Sequence, residues 1–249
     1  MTTRVSVVCT VLSVVALPGL VKAQEAAPLI YATYYECDPA GEERADAIMT
    51  NQVAPVFDDM VSDGAISGYG WLAHNTGGNW RRAGYFVASN MNALIDAGDR
   101  ANEAAGDALE EIRTACPRHD DYIWEYGGGS QPADGIVTAR PSAGFSMYAV
   151  CAMDKQDRAD EIMAEVIGPL HQTHVDQGHL RAWSWWKHHV GGKYRRLLVL
   201  DGPDHKQVSA ARDAVVEELM ANHGDAFREF NSICGSHQDY MWDIQISAP

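Results

Sequence analysis

The hydrophobic pattern changes period in a fixed order, and the order occurs twice. Leu29 to Glu36 is rich in aromatic and β-branched residues and reads as a strand. From Gly41 to Ser62, Ala45, Ile48, Met49, Val53, Val56 and Met60 recur at helical spacing. Ala65 to His74 and Trp80 to Ser89 read as a hairpin around Gly77-Gly78. Asn92 to Thr114, rich in Ala, Glu and Leu, reads as a second helix, and Asp121 to Tyr126 as a closing strand. The unit is β-α-β-β-α-β, the ferredoxin-like split-βαβ arrangement.

A second copy of this unit is visible by self-comparison. At an offset of 114, Tyr34, Cys37, Arg44-Ala45-Asp46, Pro55, Gly64, Trp71, His74 and Arg81-Arg82 meet Tyr148, Cys151, Arg158-Ala159-Asp160, Pro169, Gly178, Trp185, His188 and Arg195-Arg196. After a slip of four residues, Cys116, His119, Asp121, Tyr122 and Trp124 meet Cys234, His237, Asp239, Tyr240 and Trp242 at an offset of 118. So many rare residue types in one order point to a tandem duplication. The stretch 128–143 has the Gly, Pro and small polar content of a linker. The expected modules are residues 26–127 and 144–247.

Composition adds the compartment. Arg4, the apolar stretch Val5 to Leu20 and the small residues of Val21-Lys22-Ala23 form a signal-peptide pattern over residues 1–23. Without it, 17 basic residues face 34 acidic ones, a balance that opposes binding to nucleic acid or anionic lipid. No other apolar run is long enough to cross a membrane. The expectation is a periplasmic or secreted protein without membrane insertion.

Two right-handed crossovers give each copy an antiparallel sheet with both helices on one face. Two such sheets can bury their bare faces against each other. This α+β arrangement resembles the dimeric α+β-barrel superfamily, fused into a single-chain, monomeric pseudo-dimer. The superfamily includes cofactor-independent monooxygenases, isomerases, haem enzymes and proteins with no known reaction, so the resemblance implies fold and leaves chemistry open. Four cysteines remain after the leader, and they allow three pairings. In a βαββαβ unit the end of the first strand and the end of the second helix lie at one end of the sheet. That topology pairs Cys37 with Cys116 and Cys151 with Cys234.

Strand alternation then sorts the hairpin residues. Ile66, Gly68, Gly70 and Leu72, with Leu180, Ala182, Ser184 and Trp186, suit a helix-packed face. Ser67, Tyr69 and Trp71, with Arg181, Trp183, Trp185 and Lys187, mix aromatic and polar groups and suit a barrel lumen. Parity adds Trp80, Arg82, Gly84 and Phe86, with Tyr194, Arg196, Leu198 and Leu200, to that lumen face. Tyr69, Trp71, Arg82, Trp183, Trp185 and Arg196 are therefore the candidate ligand-binding residues, for a flat or partly apolar anion. The second copy is the more cationic, so a ligand is expected nearer Trp185, Arg196 and His188.

His74, His119, His188 and His237 are expected at the cysteine-bearing ends of their sheets, beside Asp121 and Asp239. They are the candidate acid/base residues, and equally a way to tie a hairpin to its neighbour. His171, His174 and His179 surround one helix end without a clear third ligand, so no metal site is expected. Nucleotide-binding, serine-hydrolase and covalent-haem motifs are absent. No cofactor is expected, and haem held by one histidine stays open because it leaves no motif. The sequence thus points to an exported binder of a small molecule, with cofactor-independent acid/base chemistry as an extension. A haem-binding protein and a non-catalytic structural or interaction module are the alternatives.

Overall fold

The computed structural model describes residues 27–130 and 141–248. The leader pattern over residues 1–23 lies outside the described residues, as does most of the linker stretch. In the first half, β1 (Leu29–Glu36) is followed by α1 (Pro39–Ile48) and α2 (Ala54–Ser62), then β2 (Gly68–Thr76), β3 (Arg82–Ala88), α3 (Met91–Ala115) and β4 (Arg118–Gly129). The second half repeats the order with β5 (Ala143–Val150), α4 (Gln156–Ile162), α5 (Gly168–Asp176), β6 (Ala182–Val190), β7 (Arg196–Gly202), α6 (His205–Asn222), α7 (Gly224–Ile233) and β8 (Ser236–Ala248).

Each first helix changes pitch in the middle. A π-helical turn, Met49–Val53 or Met163–Ile167, joins its two segments just ahead of Pro55 or Pro169. Proline has no N–H to donate to the residue four back, and a wider turn absorbs the gap. The amides of Ala54 and Gly168 reach back five residues to the carbonyls of Met49 and Met163. The second helices differ in length. α3 kinks at Ala105, whereas the break between α6 and α7 falls at His223. Counted from the N-caps Asn90 and Asp204, that break comes four residues later, so the slip seen in the sequence is one extra helical turn in α6.

All eight strands close into one antiparallel barrel in the order β1-β3-β2-β8-β5-β7-β6-β4. Within a half the order is β4-β1-β3-β2 or its equivalent. The halves join edge to edge, through β2 with β8 and β4 with β6, as well as face to face. Closure leaves no free sheet edge. The hairpin turns help seal these joints: a Cβ on Gly77 would stand 2.6 Å from the Asp239 carbonyl, and one on Gly191 2.5 Å from Tyr122. Both glycines also have positive φ, at 135° and 136°. Cys37 is bonded to Cys116 and Cys151 to Cys234, as the same-end topology requires. With sequence separations of 79 and 83, each bridge is worth about 4 kcal/mol in the chain-entropy account.

The core has three layers. One helix–sheet layer belongs to each half. The third fills the barrel with Tyr34, Trp80, Tyr122, Trp124, Tyr148, Trp186, Tyr194, Tyr240 and Trp242, among others.

Candidate functional site

The facing of the β2 and β6 side chains is the reverse of that expected from the sequence. Tyr69 and Trp71 pack with α1, α2 and α3, and Trp183 and Trp185 pack with α4, α5 and α6. Gly70, Leu72 and His74 share the opposite face, toward the barrel interior. A shift of one residue in parity moves every side chain of a strand across the sheet. The expectation rested on the premise that a sealed layer rejects cations and indole N–H groups. Here the first helix supplies the missing partners.

Asp46 of α1 accepts from Trp71 Nε1 at 2.7 Å and from Arg82 Nε and Nη2 at 2.6 Å each. Glu42 accepts from Arg82 Nη1 at 3.0 Å and Arg81 Nε at 2.7 Å. In the second half Asp160 accepts from Trp185 Nε1 at 2.8 Å and from Arg196 Nε and Nη2 at 2.6 and 2.8 Å. Gln156 stands where the first half has Glu42 and accepts from Arg196 Nη1 at 2.6 Å. Arg82 and Arg196 are buried and saturated, so they clamp helix to sheet and present no free edge to an anion. Tyr69 donates to Asp58 at 2.7 Å, with the Ala54 carbonyl 3.2 Å from the same hydroxyl, and Trp183 Nε1 donates to Gln172.

The four candidate histidines separate into two pairs. His74 and His188 end the hairpins and meet the arginine seven residues on: Arg81 Nη1 lies 2.6 Å from His74 Nδ1, and Arg195 Nη1 2.9 Å from His188 Nδ1. Burial, then the adjacent guanidinium, lowers both imidazole pKa values. Both rings lie edge-on to aromatics of the other half, His74 to Tyr240 and Trp242, His188 to Tyr122 and Trp124. They therefore serve the joint between the halves. His119 and His237 lie on the other face of their sheets, each with its Asp, at 3.5 Å for His119–Asp121 and 2.7 Å for His237–Asp239.

The His119 pair borders a cavity. A space of about 340 Å³ lies between the first sheet and its helices, with Met49, Val53, Phe57, Trp71, Phe86 and Ile112 among its walls. At its rim Thr33 Oγ1 donates to Asp121 at 2.7 Å, and the Tyr31 hydroxyl lies near the same carboxylate. Tyr35 lines the same space, its ring centroid 5.9 Å from that of His119. Burial raises the Tyr31 hydroxyl pKa, helped by Asp121, and pushes Tyr35 up to about 12, so both remain donors at neutral pH. An apolar hollow with a few convergent polar groups at one end has the make-up of a small-molecule site.

No family model matches the chain, and no curated protein does. Solved structures do. A candidate monooxygenase from Lactobacillus acidophilus NCFM superposes with a TM-score of 0.64 at 8% identity, over 89% of this chain and 96% of that one. An anthrone oxidase-like protein gives 0.59 at 11% identity, over 90% and 94%. A chlorite dismutase variant from Candidatus Nitrospira defluvii gives 0.54 at 8% identity, over 88% and 92%. The fold is that of the dimeric α+β barrels.

The helix–sheet cavity lies in the first half, away from Trp185, Arg196 and His188. In the second half larger side chains stand at the corresponding positions. The ladder pairs Thr33 with Gly84 and Met147 with Leu198, so a leucine stands where the first half has Gly84, a position covered by the Trp71 ring, 3.1 Å from a Cβ built there. Eight residues after each N-cap stand Gly98 and Arg212. Arg212 lies 4.9 Å over the Phe145 ring and 3.5 Å from Asp239. The Gly98 position is open, with nothing within 4 Å of a Cβ built there.

Haem fits this barrel poorly. Among the described residues no cysteine lines the helix–sheet cavity, and the imidazole that does, His119, lies exposed at its rim beside Asp121. His171, buried with its Nδ1 unpartnered, faces Trp183 at 6.1 Å between centroids, and the tip of that indole fills the space above Gly168. Burial lowers the His171 pKa to about 3. No group of three metal-binding side chains occurs among the described residues. Tyr31, Thr33 and Gly98 were not singled out from sequence, and Gly84 was assigned to the barrel lumen. The signal was present, since each differs from its counterpart Phe145, Met147, Leu198 or Arg212.

Proposed function

We propose that this chain is an exported, tandemly duplicated dimeric α+β barrel that binds a flat, mostly apolar ring compound carrying a hydroxyl group, in the helix–sheet cavity of its first half. The observation that carries this reading is the apolar hollow whose polar groups converge at Asp121. A phenolic or enolic hydroxyl entering the rim would donate to Asp121, with Tyr31 and Thr33 orienting that carboxylate and His119 beside it to share the proton. An anion finds less support, because Asp99 and Asp121 line the rim as well as Arg113, and the buried arginines are already paired. Export is supported by the leader pattern and by two disulfides, which persist in oxidising compartments.

Trp71 lines the cavity and reports on it. Titration of tryptophan emission with 2-naphthol should show saturable quenching, and its methyl ether should bind more weakly. Gly98→Arg, which brings the second half's side chain to an open helical position, should weaken 2-naphthol at least tenfold without loss of fold. Equal binding by wild type and Gly98→Arg, or no binding by either, would turn the assignment toward a structural module.

A further inference from the structure

The barrel interior holds a second cavity, of about 250 Å³, walled by Tyr34, Tyr85, Trp124, Tyr148 and Trp186, with Asp201 at one side. Its lining includes equivalent positions of the two halves, and one of them breaks the apolar pattern. The ladder that pairs Ile30 with Val87 in the first half pairs Gly144 with Asp201 in the second. An isoleucine–valine pair is thus replaced by a carboxylate facing a residue with no side chain. A Cβ on Gly144 would lie 3.5 Å from Asp201 Oδ1, so the glycine leaves room beside the carboxylate.

Nothing in the fold uses this carboxylate. Asp46 and Asp160 in the helix–sheet layers each hold an arginine, whereas the Asp201 side chain has no hydrogen bond or ion pair among the described residues. The titratable groups sharing its cavity are Tyr34, Tyr85 and Tyr148. Burial raises all three, so they remain neutral hydroxyls. No cationic side chain lines the cavity among the described residues. A carboxylate set without a cation beside an aromatic-walled cavity is costly, and a purely structural barrel has no evident use for it.

We propose that the barrel cavity binds a small primary ammonium ion borne on a short aromatic or branched apolar group, with the nitrogen against Asp201 and the apolar part among the tyrosine and tryptophan rings. An ammonium offers three donors to a carboxylate, and aromatic faces attract its charge. A carboxylate ligand would be repelled, and a neutral isostere would leave Asp201 unpaired. Burial alone holds the Asp201 carboxyl up to about 7, so an ammonium also supplies the countercharge that favours its ionised form. This site is separate from the helix–sheet cavity and does not depend on the reading given to that cavity.

Titration calorimetry with 2-phenylethylamine, 2-phenylethanol and 3-phenylpropionate tests the proposal on the intact protein. The amine should bind at pH 8, with the carboxylate at least tenfold weaker, and its affinity should fall toward pH 5 as Asp201 takes up a proton. Asp201→Asn, nearly isosteric and free of the buried charge, should keep its near-UV circular dichroism and lose amine affinity at least tenfold. Gly98→Arg should leave amine binding intact. Equal affinity for amine and carboxylate, an unaltered Asp201→Asn, or no amine binding at all would overturn the proposal. Amine binding lost in Gly98→Arg and kept in Asp201→Asn would overturn it too, by moving the amine to the helix–sheet cavity.

Discussion

The two halves share one clamp and differ in what fills the space beside it. In both, an Asp on the first helix holds a Trp indole and an Arg guanidinium from the hairpin. Beyond that clamp the halves diverge in size of side chain. Gly84 corresponds to Leu198, and the buried Ala101 and Ala105 fall at helix positions taken by Val215 and Leu219. The second half is closed by packing and capped by Arg212, while the first keeps a hollow with a polar rim. Features kept in both halves therefore mark what the barrel needs in order to stand, and differences mark where a ligand can enter.

The largest effect should come from the clamp itself. Removing one partner of a buried ion pair leaves an uncompensated charge and costs about 3–5 kcal/mol. Asp46→Ala leaves Arg82 with the Glu42 carboxylate, 3.0 Å away, whereas Asp160→Ala leaves Arg196 with two neutral acceptors, Gln156 and the Arg195 carbonyl. Urea unfolding should therefore place Asp160→Ala near the top of that range and Asp46→Ala near the bottom. The reverse order would mean that Glu42 does not compensate and that the clamps are not equivalent.

How much of this was legible follows from which forces act locally. Strand and helix periods and the cysteine pairing came from short-range pattern and topology, and the closed barrel and its two disulfides agree with them. The facing of β2 and β6 did not, because parity gives two faces and only an assumption about polarity chose between them. Trp71 and Arg82 looked unfit for a sealed layer until Asp46 and Glu42, 25 to 40 residues earlier in the chain, were seen to reach into it. His74 and His119 were expected together at one end of a sheet. They do share an end, on opposite faces. Asp201 was overlooked because a single acid in an apolar strand carries no motif. Its contrast with Val87 was readable in the repeat.

That contrast gives a pH test of intermediate size. Burial raises the Asp201 carboxyl to about 7 in the folded chain, while the unfolded chain ionises near the ordinary carboxylate value. Between roughly pH 4 and 7 the folded state binds the extra proton, so stability falls as pH rises through that window. The loss should be about 2–4 kcal/mol, and Asp201→Val, which copies the first half, should remove that part of the slope. A pH profile of urea midpoints identical in wild type and Asp201→Val would show that the carboxyl is well solvated.

The smallest effect comes from trying to open the second half. Arg212→Gly removes an exposed ion pair with Asp239 and a contact over Phe145, together worth about 1 kcal/mol, and placing Gly in a helix costs about 1 kcal/mol more. If the cap alone closed the second half, this variant would gain a site for the hydroxylated ring compounds proposed for the first. Leu198, Val215 and Leu219 remain buried beneath it, however, and they fill the layer whether or not the arginine is present. Arg212→Gly should therefore unfold slightly earlier and bind nothing new, measured by tryptophan quenching in a Gly98→Arg background where the first cavity is shut. New saturable binding in that double variant would show that the arginine cap, and not the leucine and valine packing, separates the two halves.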